Sequence, residues 1–438
     1  MYVLYVLLIA STFLFGTDQS AMKDRRSRAA AEFRDGVLIL HANSELEITA
    51  DGFHQDPLFY YFTGLGNTVG ALLAIDGKSG ESWLFLPTKP PYWKSGLQPE
   101  MRPGSEAAAQ SGIEHVADWS ELESFLRSRA EQTSLRLYYA ANPPNFPEMP
   151  SNFLSHSAAD APLWMQVILQ RLPTIQPIDA TLRADALLAV QDSEEIAALR
   201  SAAKATVAAM MAGLHAIRTG VSQRDVEAIV EDTCWRTGAH GTAFWPWAMA
   251  GENANFPNPF HSVARYDHLN QTMHSGELVR LDVGCEWNHY QGDLGRTVPV
   301  CGHYTDEQRE TWNLFVAAYR AGAAALRNGV TVDEVFAAWR NELLRHRASA
   351  KSPLAQHAID YWSDKKNVPY WQVHTTNLLA GYPVGPLRAG TTINFEPMGT
   401  VDGQAFFLED MYLITANGAE VLTPGVPYSA DEIEAAMR

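Results

Sequence analysis

A chain of 438 residues exceeds one ordinary domain, and its 46% hydrophobic content, with 12 Trp, 18 Phe and 16 Tyr, can fill more than one core. The 50 acidic residues against 33 basic give a formal net charge of -17. That balance excludes nucleic acid as a partner, because phosphate-backbone binding needs clustered Lys and Arg.

Residues 2–15 are almost wholly apolar, too short to span a bilayer comfortably and about the length of a signal-peptide core, with Ser20-Ala21 as the cleavage region. Against this, no basic residue precedes the segment, whereas Lys23, Arg25, Arg26 and Arg28 follow it. A start at Met22 would leave a cytoplasmic protein. Export, as to a periplasm, is the reading adopted, with residues 1–21 removed, since a free apolar segment on a soluble chain has no other evident use.

Strands and turns are expected to about Pro91, punctuated by Asn67, Gly70, Gly77 and Gly80, and helices around residues 117–129 and 161–172. This alternation predicts an α/β domain over residues 22–185. The proline-rich run 143–150 is a surface loop inside it. The boundary is expected between Asp185 and Asp192, with the second domain over residues 190–438. Ser193-Glu194-Glu195-Ile196 opens a long Ala-rich helix, with a serine cap and early acids, that runs to about Ile217. Gly220-Val221-Ser222 stops it and caps the next helix, and Gly329-Val330-Thr331 repeats the device after a helix from Thr305. Cys234, Cys285 and Cys301 are odd in number and not closely paired. Neither a disulfide framework nor a cysteine metal site is expected, and Cys285 reads as packed.

The chemistry lies in four acids and one histidine. Asp282 sits in the apolar strand Leu278-Val279-Arg280-Leu281-Asp282-Val283-Gly284, and Asp293 follows after ten residues. Glu396 lies in Thr392-Ile393-Asn394-Phe395-Glu396-Pro397, and Glu409 in the apolar run 405–414. Ionised carboxylates among apolar strand residues cost roughly several kcal/mol each unless a cation or hydrogen-bond donors compensate. With His374 they form the donor set of a divalent pair, carboxylate oxygen and neutral imidazole nitrogen. Taken singly, each acid is more often a strand-end or turn residue than a ligand, by roughly three to one: Glu409-Asp410 reads as a solvated turn, Asp293 as an Asx-turn. The set carries the argument.

The stretch Leu281-Asp282-Val283-Gly284-Cys285-Glu286-Trp287-Asn288-His289-Tyr290-Gln291-Gly292-Asp293-Leu294-Gly295-Arg296-Thr297 resembles the first metal-binding hairpin of the pita-bread metallopeptidases, in the Xaa-Pro aminopeptidase and prolidase branch. Asn394-Phe395-Glu396-Pro397 and Leu408-Glu409-Asp410 resemble that family's third and fourth acidic ligands, in order. Upstream, residues 35–40 and 53–64 resemble the domain that precedes the catalytic one in this branch. The resemblance implies an α/β (α+β) fold, a small N-terminal domain followed by a pita-bread domain of duplicated helix-sheet halves, which the repeated caps echo. It also implies two divalent metal ions, manganese first, with cobalt or zinc fitting the same ligands.

One departure is plain. Residues 370–383 offer only His374 where relatives carry several histidines. Aligning Pro383 makes His374 the metal ligand, with a substrate histidine missing near Ala380. Counting back from Glu396 makes it the substrate-binding histidine, with Asn367 near the ligand slot, and a third register places Asn377 there. The ligand reading is preferred, because two metals without imidazole would be an odd site. On the substrate side His261 is the better match and His268 the alternative.

By resemblance, Asp293, His374, Glu396 and Glu409 hold or bridge one metal and Asp282 the other, with Asp293 and Glu409 bridging. Glu396 moves the proton and His261 supports the oxyanion. The implied activity is hydrolysis, by a dinuclear metal-activated hydroxide, of the bond between an N-terminal residue and a following proline. Two alternatives remain: a non-catalytic or weakly active binding protein with a depleted histidine set, and a metal-free, creatinase-like C-N hydrolase. Relatives are often homodimers or tetramers.

Overall fold

The computed structural model describes residues 19–43, 53–87, 101–130, 134–140, 163–255, 270–367, 373–378, 381, 383 and 385–438. Residues 2–15, the proline-rich run 143–150, Ala380, His261 and His268 lie outside them. Two units result, Met1–Ala42 with Phe59–Asp179, and Asn43–Leu58 with Ala180–Arg438. The chain thus passes to the second unit a few residues before the expected boundary, and a short earlier segment also belongs to that unit.

The first unit is built on a six-stranded sheet in the order β4-β3-β2-β1-β5-β6. Its strands are β1 (Gly36–His41), β2 (Leu72–Asp76), β3 (Ser82–Leu86), β4 (His115–Asp118), β5 (Arg136–Tyr139) and β6 (Gln176–Asp179). Val37-Leu38-Ile39-Leu40 is an unbroken apolar run because β1 is central and buried. The helices are α1 (Gln19–Glu32), α2 (Pro57–Thr63), α3 (Ser105–Ser111), α4 (Leu122–Ala130) and α5 (Leu163–Arg171). α1 and α2 stand where strands and turns were expected. α1 has little apolar patterning, and its buried arginines supply the order instead. Arg25 donates to the Tyr61 carbonyl at 3.0 Å and Arg26 to that of Phe62 at 2.9 Å, so two guanidiniums satisfy carbonyls at the end of α2. The expected helix at 117–129 begins later, because residues 115–118 pair as a strand with β3.

In the second unit a short helix α6 (Thr181–Asp185) precedes the long α7 (Ser193–Ala216). The cap of α7 is Asp192, one residue before the serine expected there: the Asp192 carboxylate accepts from the backbone N–H groups of Glu194 and Glu195, both at 3.0 Å. Ser222 caps α8 (Gln223–Arg236), Thr305 caps α9 (Asp306–Ala325), and Thr331 caps α10 (Val332–His346). α11 (Pro353–Ser363) and α12 (Ala430–Ala436) complete the helices.

The strands are β7 (Trp247–Ala250), β8 (Leu278–Val283), the hairpin β9 (Glu286–Trp287) and β10 (Tyr290–Gln291), β11 (Leu294–Pro299), β12 (Val373–Thr375), β13 (Thr392–Phe395), β14 (Met398–Val401), β15 (Gln404–Ile414) and β16 (Ala419–Val421). Their main sheet runs β12-β13-β15-β11-β8-β7, with β14 and β16 also on β15. Asn288 and His289, at φ 50° and 67°, make the tight turn of the hairpin. Gly292 lets that hairpin lie on α7, since a Cβ there would stand 2.1 Å from Thr206 Oγ1.

The cysteine expectation is corrected. Cys234 on α8 and Cys285 after β8 form a disulfide with Cα atoms 5.5 Å apart, and Cys301 is free. Fifty-odd residues of sequence hide this pairing, since only the α8-on-sheet packing brings the two together.

Candidate metal centre

Strand alternation explains why the acids meet. Asp282 on β8 is opposite Gly295 on β11, and Gly295 is opposite Glu409 on β15. Paired residues share a face, and so do residues two apart on one strand. Asp293, two before Gly295, therefore joins the face of Asp282 and Glu409. Met411, two after Glu409, pairs with Asn394 on β13, and Asn394 pairs with His374 on β12. Glu396, two after Asn394, completes the set. The four carboxylates are all buried.

His374 Nε2 lies 3.6 Å from Asp293 Oδ2, 3.5 Å from Glu396 Oε1 and 3.5 Å from Glu409 Oε1. Its Nδ1 is 3.2 Å from the Thr375 carbonyl oxygen. A carbonyl only accepts, so a proton belongs on Nδ1 and Nε2 is the atom left for a ligand role. The rival slots lie elsewhere: Asn367 donates to the Tyr361 carbonyl at 3.0 Å, and Asn377 to that of Leu188 at 3.2 Å.

Among the described residues, the donors within 4.8 Å of one another that could hold a metal come from Asp293, His374 and Glu409. Among the described residues, Asp293 Oδ1 and Glu409 Oε2 are buried without a hydrogen-bond partner. Each of these two carboxylates sets one oxygen near the imidazole nitrogen and leaves the other orphaned, and a divalent cation would satisfy such oxygens, so the residues fit such an ion.

The acids crowd one another. Burial, then the Glu409 charge, pushes Asp282 up to about 7, and the same causes hold Asp293 and Glu396 well above the usual carboxylate range. Burial acts to lower the His374 pKa, but its hydrogen bond to Glu409 and the charges of Glu396 and Glu409 outweigh it and raise the ring to about 9.

Sequence reasoning passed over three residues. Arg280 lies two residues before Asp282 on the same face, its Nη2 3.0 Å from Asp282 Oδ2. A lone arginine among Leu, Val and Leu was the available signal. Asn394 donates from Nδ2 to Glu409 Oε1 at 2.6 Å, and its Oδ1 accepts from the Thr376 hydroxyl. Arg296 points to the opposite face, donating to the Glu409 carbonyl at 2.7 Å and to Asp410 Oδ1 at 3.1 Å. Glu409-Asp410 is accordingly no solvated turn: the two acids are buried on opposite faces of β15.

Residues 197–416 match the model of metallopeptidase family M24, and residues 22–138 that of the aminopeptidase P N-terminal domain. The chain is 23% identical over 441 residues to an Xaa-Pro aminopeptidase of Escherichia coli, covering 94% of this chain and 96% of that one. It is 26% identical over 266 residues to a probable Xaa-Pro aminopeptidase of Sclerotinia sclerotiorum, covering 60% of this chain but only 44% of the fungal protein. A solved variant of Escherichia coli aminopeptidase P has the same fold, with a TM-score of 0.78, 22% identity, and coverage of 96% of this chain and 98% of that one.

Proposed function

Because the chain belongs to metallopeptidase family M24, we propose that it is a metal-dependent peptidase that frees the first residue of a peptide whose second residue is proline. The observation that carries this is the convergence of Asp293, Glu396 and Glu409 on His374 Nε2. Those four residues would hold one divalent cation, and Asp282 with Asp293 and Glu409 a second, manganese being the first choice and cobalt or zinc fitting the same donors. Such cations, when bound, polarise the scissile carbonyl and bring the pKa of a water toward neutrality.

The side chains supply the rest. Glu396, its proton affinity raised by burial and by Glu409, would take a proton from the attacking water and return it to the departing proline nitrogen. Asn394 donates to Glu409 Oε1, the oxygen near His374, and so holds that carboxylate in place, while its Oε2 keeps no partner among the described residues. Thr375 holds the His374 ring so that Nε2 faces the acids. On the family likeness, His261 is assigned to the developing oxyanion.

The test incubates the manganese-loaded protein with Xaa-Pro dipeptides and longer Xaa-Pro peptides. Release of the first residue, abolished by a chelator and absent with alanine in place of proline, is expected, and peptide length separates aminopeptidase from dipeptidase action. Metal-loaded protein that leaves every Xaa-Pro peptide intact would favour the non-catalytic alternative.

Export belongs to the same proposal. The Cys234–Cys285 disulfide suits an oxidising compartment, and the apolar residues 2–15 suit a signal core. Fractionation of the native host with N-terminal sequencing checks this; a chain recovered from the cytosol with residues 1–21 attached defeats it.

A further inference from the structure

Resting on the metallopeptidase reading, we infer that Trp245 and Trp247 form an aromatic wall for the side chain of the peptide's first residue, so that peptides opening on an aromatic residue are preferred and those opening on Lys or Arg are disfavoured.

Register puts the wall beside the metal centre. Trp247 on β7 is paired with Asp282 on β8, and directly opposed residues share a face. The row Trp247, Asp282, Gly295, Glu409 therefore crosses four strands on the side that holds the acids. The Trp245 ring stands 6.3 Å from that of Trp247. Both indoles are partly exposed, and both pack against the buried Met249, Ala254 and Ala405. The surface they offer is thus fixed before a ligand arrives.

Strand order decides which end of the peptide meets it. Glu396, directly after β13, returns the proton to the departing proline nitrogen, so the proline lies toward β13. The sheet continues β13-β15-β11-β8-β7, which sets the first residue toward β8 and β7, where Trp247 is. An aromatic side chain laid against an indole gains more than the area it buries accounts for.

Arg280 supplies the other half of the preference. It is 6% exposed, with its guanidinium 4.2 Å over the Phe407 ring and 5.9 Å from the Trp247 ring, and its Nη2 3.0 Å from Asp282 Oδ2. A Lys or Arg side chain would otherwise be drawn to the indoles as a cation to a π face. Here it meets a permanent like charge already seated at the foot of the wall. A neutral ring meets no such repulsion.

The experiment measures kcat/KM of the manganese-loaded, full-length protein on the dipeptides Phe-Pro, Ala-Pro and Lys-Pro and on the same three extended by alanine. Wild type is expected to favour Phe over Ala at the first position by roughly tenfold or more, the scale an apolar pocket sets, and to place Lys below Ala. Trp247→Ala should bring the Phe-to-Ala ratio close to one, and Trp247→Phe, which keeps a ring, should hold most of it. A merely structural role would lower all the rates together and leave the ratio where it was. Trp245→Ala should reduce the ratio severalfold, which decides the matter if Trp247→Ala does not fold. A wild type that cuts the three alike or prefers Lys, or a ratio unchanged when either tryptophan becomes alanine, overturns the inference and leaves the metallopeptidase reading standing. A protein that cuts none of the peptides overturns both.

Discussion

Without a cation, the side chains of this centre must hold protons instead. Asp282 moves from 3.8 to about 7 and His374 from 6.5 to about 9. Each folded pKa lies above its unfolded value, so each contribution to stability is complete below the unfolded pKa and lost as pH rises through the folded one. For Asp282 the window runs from 3.8 to about 7, and for His374 from 6.5 to about 9. The metal-free protein should therefore melt at progressively lower temperature from about pH 5 to about pH 9. Metal binding displaces those protons, so the gain in melting temperature on adding manganese should grow over the same range. Thermal melts in chelator and in manganese across that range check this; a gain that stays flat or shrinks with rising pH would contradict it. At this scale the sequence picked out, by type and spacing, side chains that the strands bring onto one face, Asp282 and Asp293 above all. It did not announce Arg280 or Asn394, because their roles depend on which neighbours face them across two strands, and register is not written in local composition.

The strand is the element that sorts these charges. Glu409 faces the metal centre, and Asp410, next in sequence, faces the helices. There it accepts from Arg296 at 3.1 Å, Thr423 Oγ1 at 3.0 Å, Tyr319 at 3.0 Å and Tyr428 at 2.8 Å. Arg296 also donates to the backbone of Gly295, Glu409 and Pro427, so it locks β11, β15 and the C-terminal segment together. Arg296→Met leaves a fully buried carboxylate with hydroxyl donors alone and should cost about 3–5 kcal/mol in urea unfolding. A loss below about 1 kcal/mol would show the pair to be dispensable. Gly295 supplies a sharper test. Gly295→Ala drives a methyl into the Phe407 ring, and overpacking of this kind costs roughly 1–3 kcal/mol. Phe407→Leu on the same chain should restore much of that loss; a double variant no more stable than Gly295→Ala would refute the steric account. Period and caps made α7 to α10 legible, and apolar runs marked β8, β13 and β15, while the shorter strands went unread. The misplaced cap at Ser193 shows the residual ambiguity, since Asp192 and Ser193 are both good caps and only the backbone decides between them.

Over the whole chain, long-range packing and a covalent link matter more than any local pattern. The sequence placed a division between Asp185 and Asp192, where the helix cap advertises a new start, whereas the contacts divide at Asp179 and assign Asn43–Leu58 to the second unit. Membership of a segment in one unit rather than another is a long-range property that local composition does not carry. The disulfide is hidden for the same reason, because 51 positions separate Cys234 from Cys285. Closing a loop of that length in the unfolded chain is worth about 4 kcal/mol in the chain-entropy account. The link ties α8 to the turn after β8, directly beyond Asp282. Reduction should therefore lower the urea midpoint, and it should loosen the β8 end of the metal centre before the β15 end. Hydrogen exchange under reducing and oxidising conditions distinguishes these: faster exchange at residues 278–285 with β15 unchanged is expected. If reduction leaves both the midpoint and the exchange of β8 as they were, the two cysteines contribute as packed core residues, and the bond between them is not what holds that end of the strand.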